Sequence, residues 1–280
     1  MAHRDLFPVD LMCEVFQVSR SGYYGWSRRT PSASAVRREQ LTEHIRTAHQ
    51  QSRATYGSPR IYHELRAQGV LCSENTVAKL MRRSQLRSKA KRRFRARTTD
   101  SRHSDPIAEN TLDREFVVAR PDAVWAADIT YIETQEGWLY LAIVLDLCTR
   151  RVVGWATAEH LRAELAGSAL RMAIRHRQPS KGVLHHSDRG VQYASQEYRS
   201  ILEESHIEAS MSRRGNCYDN AVVESFFSTL KRELVHHEKY QTRAQAKQSL
   251  FEFIEVFYNR RRRHSTLGYR SPAEFEQSLF

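Results

Sequence analysis

The spacing of hydrophobic positions changes along this chain, and the changes divide it. Near the start, Pro8 stands where it can open a helix, and Leu11, Met12, Val15 and Phe16 follow at the i, i+1, i+4, i+5 spacing of a small packed face. A turn at Gln17–Ser19 separates this helix from SRSGYYGWSRR, a short stretch mixing aromatics with arginine. A second unit opens at YGSPRIYHEL, with Ile61 and Leu65 on one face, and Gly69 ends it. Ser73 is placed to cap a further helix that turns Val77, Leu80 and Met81 inward, with Lys79, Arg82 and Arg83 flanking that face. The pattern predicts two helix–turn–helix-like units, although any small helical hairpin carries the same stripe.

Beyond residue 115 the period shortens. AVWAADITYIE is a strand-like run, and a turn at Gln135–Gly137 leads into WLYLAIVLDL. CTRR then turns into VVGWATA, so three strands form an antiparallel meander. Helical spacing returns in LRAELAGSALRMAIRHR, with Leu161, Leu165 and Met172 on one stripe and Leu170 and Ile174 beside it. GVLHHSD is a short buried strand, SQEYRSILEESH a helix, IEAS a short strand and SRRGNCYDN a loop. A long helix runs through AVVESFFSTLKRELVH, and the next places Leu250, Phe253, Ile254 and Phe257 on a core stripe. Ser271 to Glu274 is a capping box with Pro at N1 of a short last helix. This order is that of an α/β fold: a mixed five-stranded sheet flanked by helices, matching a ribonuclease-H-like core.

Charge adds a division that the pattern alone does not give. Residues 1–106 carry 21 Lys/Arg against 9 Asp/Glu, leaving +12, while residues 107–280 carry 23 against 23. Such asymmetry points to a polyanion-binding segment joined to a neutral domain, where the alternative is a basic surface kept for solubility. RRSQLRSKAKRRFRAR, residues 82–97, holds nine Lys/Arg in sixteen positions. Arg82, Arg83, Lys91, Arg92 and Arg93 are its candidate phosphate contacts. The expected layout is a basic helical DNA-binding region over 1–97, a polar linker over 98–115 and a catalytic core over 116–280. With 40% hydrophobic residues the chain is not a disordered one. No stretch nears 18 consecutive apolar residues and MAHRDLFPVD lacks the apolar run of a signal peptide, which points away from membranes. Cys13, Cys72, Cys148 and Cys217 form no CxxC pair, the usage of a reduced cytosolic protein without structural zinc.

Two-metal phosphoryl transfer needs carboxylates that converge from separate elements, because magnesium prefers hard oxygen ligands and keeps waters for substrate phosphates. Three acids meet that demand. Asp128 stands mid-strand in an apolar run, where a lone charge is costly. Asp188 ends the buried strand GVLHHSD, and Glu224 sits in the first turns of the long helix, near its positive end. Lys231 follows Glu224 by two turns on the same face, placed to hold a phosphate.

WAADITYI, HSDRGVQY, YDNAVVESFFSTLKRE and YNRRRRHSTLGYRSPAEF together resemble the DDE catalytic core of retroviral integrases. More closely, the chain resembles the second-frame (OrfB) transposases of IS3-family bacterial insertion sequences, over roughly residues 50–280. The resemblance implies a ribonuclease-H-like fold, Mg²⁺ or Mn²⁺ as cofactor in a two-ion site, and cutting and joining of element ends in double-stranded DNA through a circular intermediate. It puts the metal-binding acids at Asp128, Asp188 and Glu224 and the following basic residue at Lys231. It further implies a homo-oligomer on DNA, fusion to an upstream frame by frameshift, and a cytoplasmic, nucleoid-associated location. The His/Cys zinc module of retroviral integrases has no counterpart here.

Other residues admit plainer roles. Asp146 is expected to serve the turn at CTRR or a salt bridge, His185 and His186 to pack at the strand end, and Asp219 or Asn220 to cap the Glu224 helix. The run Arg260 to Arg263 with His264 is either a solvated helix end or a phosphate contact. Two other functions share these features: a nuclease of the same fold, which cuts without joining, and a DNA-binding regulator with a relic core, which intact Asp128, Asp188 and Glu224 argue against.

Overall fold

The three long apolar runs become the three strands expected of them. The structure, a computed structural model, describes residues 6–89, 106–213 and 217–280, with the backbone alone at 217 and 218. Strands β1 (Val124–Thr134) and β2 (Gly137–Asp146) pair antiparallel from Trp125↔Asp146 to Thr134↔Gly137, and β3 (Val152–Ala158) continues the meander. At the β2–β3 turn Asp146 accepts the N–H and hydroxyl of Thr149 at 2.7 Å each, and the Asp122 N–H at 2.7 Å, so it takes the turn role foreseen for it. β4 (Leu184–Ser187) and β5 (Glu208–Met211) add in parallel, giving a five-stranded sheet of order β3-β2-β1-β4-β5. This is the mixed sheet of a ribonuclease-H-like α/β core.

Period-two alternation sends β1 side chains to two different layers. Trp125, Ala127 and Ile129 share a cluster with residues of α6 (Ala163–Arg177) and α8 (Gln196–Glu204), which α7 (Val191–Ala194) precedes. α6 lies so close to β3 that a Cβ at Gly154 would stand 2.2 Å from the Ala169 carbonyl oxygen. Ala126 and Ile132 belong to the opposite layer, with Phe226 and Leu230 of α9 (Ala221–Glu233) and Leu250 of α10 (Arg243–Phe251). α10 runs on as a π-helical segment, Glu252–Tyr258, whose wider turn buries Phe253, Ile254, Phe257 and Tyr258 together. Asn259 then pairs its amide with both the N–H and the carbonyl of Val152 at 3.0 Å, covering part of the β3 edge. The short last helix, α11 (Pro272–Gln277), starts with the capping box read from Ser271 and Glu274.

The amino-terminal part holds α1 (Val9–Val15), α2 (Arg20–Ser27), α3 (Ala33–Gln51), α4 (Ser58–Ala67) and α5 (Glu74–Arg83). One expectation is corrected, and one helix has no counterpart in the sequence pattern. The α1 face does not pack: Leu11, Val15 and Phe16 are 49%, 68% and 73% exposed, Cys13 alone of the helix is buried, and Pro8 is the N-cap. Seven- and eight-residue helices offer too little surface to bury such a face by themselves. α3, at 19 residues the longest α-helix among the described residues, has no strong stripe in the sequence, since only Leu41, Ile45, Ala48 and His49 are buried along it.

From α3 onward the helical part shares one core with the sheet. Ile45, Ile61, Leu65, Val77, Leu80 and Met81 lie in the same cluster as Phe226 and Ile254. The Tyr56 hydroxyl donates to the Arg261 carbonyl at 3.2 Å and accepts the Arg263 N–H at 2.7 Å, and the His63 ring stacks on Tyr269 at 3.8 Å. Residues 106–115, read from sequence as the second half of a linker, lie against β5: Leu112 is buried, and the Thr111 and Leu112 N–H groups both donate to Ser210 Oγ. Among the described residues no helix is long and apolar enough to cross a membrane.

Candidate active site

Strand pairing brings two of the predicted acids side by side. β1 and β4 run parallel with Ala126 beside His186, so two residues further along each chain stand Asp128 and Asp188. Both line a cavity of about 200 Å³ together with Tyr131, Tyr140, Leu161, Gln192 and Tyr193. Local hydrogen bonds aim them: Asp128 Oδ1 accepts the Ile129 N–H at 2.7 Å, and Asp188 Oδ1 accepts the Gly190 N–H at 2.9 Å. Burial, then the Asp188 charge beside it, pushes the Asp128 carboxyl well above its usual range, and Glu224 adds to the push. The Ile129 N–H and the Lys231 ammonium oppose it.

Glu224 enters from α9. Asn220, at the N-cap, donates its amide to the Ala127 carbonyl at 3.1 Å and so ties the start of that helix to β1 next to Asp128. The Glu224 carboxyl is exposed, and partial burial raises its affinity for a proton. Its field reaches Asp128, but among the described residues no three His, Cys, Asp or Glu side chains surround one point closely enough to hold an ion. Two of the acids are therefore paired and the third is a neighbour. Lys231 sits 4.9 Å above the Tyr131 ring, where burial lowers its pKa and the Asp128 charge works to raise it.

The histidines behave as packing residues. His185 Nε2 meets the Tyr198 hydroxyl at 2.9 Å, and His186 meets Ser210 and Ser212 at 2.9 and 3.0 Å. Burial drives their pKa values down to about 3 and about 4, so both rings are neutral near pH 7.

Asp219 is not a helix cap. It is fully buried and accepts from Arg114 at 2.8 Å, from Asn110 at 3.0 Å and from the side chain and N–H of Arg213, which hold its carboxyl far below the usual range. Asn220 occupies the N-cap position, but its side chain makes no capping bond. The Arg260 to Arg263 run divides in two. Arg260 and Arg261 are exposed, whereas Arg262 pairs with Glu233 through two 2.7 Å bonds and Arg263 with Glu64 at 2.6 Å. Those two buried pairs are neither a solvated end nor phosphate contacts. Arg82 and Arg83 are exposed in the last turn of α5, while Lys91, Arg92 and Arg93 lie outside the described residues. Sequence reading misses the Glu233–Arg262 pair and the Asn220 bond to the Ala127 carbonyl; nothing in an RRRRH run marks which arginine turns inward.

Comparison with known proteins gives the family of the chain. Integrase core domain models match residues 118–217 and 205–272, and an HTH-like domain model matches residues 36–94. The insertion element IS600 uncharacterized 31 kDa protein of Shigella sonnei is 48% identical over 266 residues, 95% of this chain and 97% of that protein. Transposase InsF for insertion sequence IS3A of Escherichia coli (strain K12) is 43% identical over 278 residues, 98% of this chain and 96% of the relative. Among solved structures, a simian T-cell lymphotropic virus intasome chain is 15% identical with a TM-score of 0.46, covering 73% of this chain and 67% of that one. The HTLV-2 integrase catalytic core domain in complex with magnesium is 16% identical with a TM-score of 0.43, covering 56% and 97%.

Proposed function

Because the chain belongs to the IS3-type insertion-sequence transposases, with an integrase core and an HTH-like domain, we propose that Asp128, Asp188 and Glu224 are its catalytic, cation-binding carboxylates. The observation that carries the proposal is that Asp128 on β1 stands beside Asp188, one residue past the end of the parallel strand β4, with the Asp128 carboxyl's proton affinity raised by burial and then by the Asp188 charge. Two carboxylates that repel each other in one cavity suit a hard divalent cation such as Mg²⁺ or Mn²⁺, whose charge removes the repulsion. Glu224 lies near enough to be drawn in as a third ligand, and two ions are the expected complement. When bound, the cations supply charge stabilisation at the attacking and leaving oxygens of phosphoryl transfer.

The reaction is cleavage and joining at element ends. A water oxygen bonds to the phosphorus of a phosphodiester, the bond to the 3′ oxygen breaks, and that oxygen leaves with a proton as a 3′-hydroxyl. The hydroxyl then attacks a second phosphodiester, whose own leaving oxygen takes up a proton. Lys231 holds a DNA phosphate beside the site. Arg82 and Arg83, with Lys91, Arg92 and Arg93, supply backbone contacts. The boundaries proposed for the units are 1–97 for DNA binding, 98–115 for the connection and 116–280 for catalysis. Joining of two ends calls for a homo-oligomer, and fusion to an upstream frame is proposed on the resemblance.

Incubation of the full chain with a labelled element-end duplex and Mg²⁺ tests this directly. Joined products longer than the substrate are expected. Shortened products alone would mark a nuclease, and unchanged DNA bound in a gel shift would mark a regulator.

A further inference from the structure

Behind the carboxylate pair lies a polar group that the fold leaves without a partner. Tyr193 is 2% exposed and meets Tyr198 edge-on, with ring centroids 5.2 Å apart. Its hydroxyl is buried and makes no hydrogen bond. A buried tyrosine hydroxyl ordinarily finds a partner, and leaving one unmade is unfavourable. The residue is carried on α7, whose N-cap is Gly190, two residues after Asp188. It borders the cavity that Asp128 and Asp188 line, and both carboxylates bear on it electrostatically, Asp128 more than Asp188.

Asp128 has an oxygen to offer. Its Oδ1 takes the Ile129 N–H, which leaves Oδ2 as an acceptor. A phenol with an ordinary pKa near 10 keeps its proton at neutral pH and so can donate it. Resting on the reading of Asp128 and Asp188 as cation ligands, we propose that Tyr193 is a positioning residue whose hydroxyl, unpaired in the cation-free fold, donates a hydrogen bond to the Asp128 carboxylate when a cation is bound and fixes it there. Groups that orient a ligating carboxylate in this way commonly change cation affinity 10- to 100-fold when removed. Phenylalanine fills the same space without the hydroxyl, so the ring's packing against Tyr198 is kept.

The test uses the full chain with Mn²⁺ alone as the probe. Free Mn²⁺ is counted by electron paramagnetic resonance, and thermal unfolding is followed with and without the ion. The parent is expected to bind Mn²⁺ and gain thermal stability from it, and Asp128→Asn to lose both. Tyr193→Phe should unfold at the same or a higher temperature than the parent without cation, yet bind Mn²⁺ at least about tenfold more weakly. If Tyr193→Phe binds Mn²⁺ like the parent while Asp128→Asn does not, the role given to the hydroxyl is overturned and the ligand reading stands. If Asp128→Asn binds as tightly as the parent, the ligand reading falls and the inference with it. A lower unfolding temperature for cation-free Tyr193→Phe would make the hydroxyl a structural bond and also overturn the inference.

Discussion

Replacing Arg262 by methionine isolates the buried ion pair that ties the segment after the π-helix to α9. Arg262 is 3% exposed and grips both oxygens of Glu233, itself 9% exposed, through two 2.7 Å bonds. Glu233 ends α9, nine residues beyond Glu224, and Arg60 of α4 reaches it at 3.6 Å. The Lys89 ammonium also donates to the Glu233 carbonyl at 3.4 Å. Arg262→Met fills much of the same volume but leaves the Glu233 carboxylate buried, with only the longer Arg60 contact. Breaking a buried pair from one side costs roughly 3–5 kcal/mol; with Arg60 still present, about 3 kcal/mol is expected here. Arg171→Ala is the control, because its pair with Glu197 at 3.5 Å is half exposed on both sides, where such pairs contribute about 0–1 kcal/mol. A double Glu233→Met, Arg262→Met protein should recover most of the stability, since no uncompensated charge remains. The assay is urea unfolding of the full chain, read by far-ultraviolet circular dichroism and by fluorescence of the core tryptophans. Both probes should shift together, because Ile61, Leu65, Phe226 and Ile254 share one core. An Arg262→Met destabilisation no larger than that of Arg171→Ala would refute the reasoning.

Three further outcomes follow from the same structure. Acidification should destabilise the protein between about pH 6.5 and 4: His185 and His186 titrate at about 3 and about 4 in the fold, so the unfolded chain takes up their protons first. Each histidine removes about 1.4 kcal/mol of stability per pH unit there. The raised Asp128 carboxyl works the other way, and urea midpoints that stay flat or rise from pH 7 to pH 5 would contradict the assignment. Lys231→Ala should slow end joining at limiting DNA while costing under about 1 kcal/mol of stability, the worth of its contact with Tyr131; joining at the parental rate would reduce it to a packing residue. Replacing Arg82 and Arg83 by serine should flatten the dependence of log K on log[salt] by about 0.9 for each phosphate no longer neutralised, and an unchanged slope would remove them from the DNA interface. Substitution is the right perturbation there, because truncating the helical part would uncover the core around Ile61 and Leu65.

The catalytic half is legible in the sequence because its signals are local and dense. Alternation in 124–158 fixes three strands to within a residue or two, and Ser271 with Glu274 announces the last helix. Asp128 stands out as an acid in an apolar strand, and its partner Asp188 as an acid at a strand end. The misses have a common cause, which is that a partner far away in sequence decides them. Asp219 looks like a cap until Arg114 and Arg213 close on it, and Arg262 looks solvated until Glu233 meets it. α3 escapes the pattern because its buried positions are sparse, and the face of α1 misleads because apolar spacing says which residues align, never whether anything covers them. Tyr193 reads as one more core aromatic, since a missing hydrogen bond leaves no mark in a sequence.

The central claim is that three carboxylates act as one unit in DNA cleavage and joining. It is tested most directly by following Mg²⁺-dependent nicking and joining of a labelled element end by the parent, Asp128→Asn, Asp188→Asn and Glu224→Gln proteins, with DNA binding measured separately by gel shift. Each single substitution keeps side-chain shape and removes one ligand charge, so each should lower the rate about a thousandfold or more while DNA binding holds or tightens slightly. Double variants should be no slower than singles. Exposed Glu197→Gln is the control and should match the parent, whereas Asp219→Asn would strip charge from a buried ion pair. Substantial activity in Glu224→Gln would move the third ligand away from α9, and substantial activity in Asp128→Asn or Asp188→Asn would contradict the account at its base.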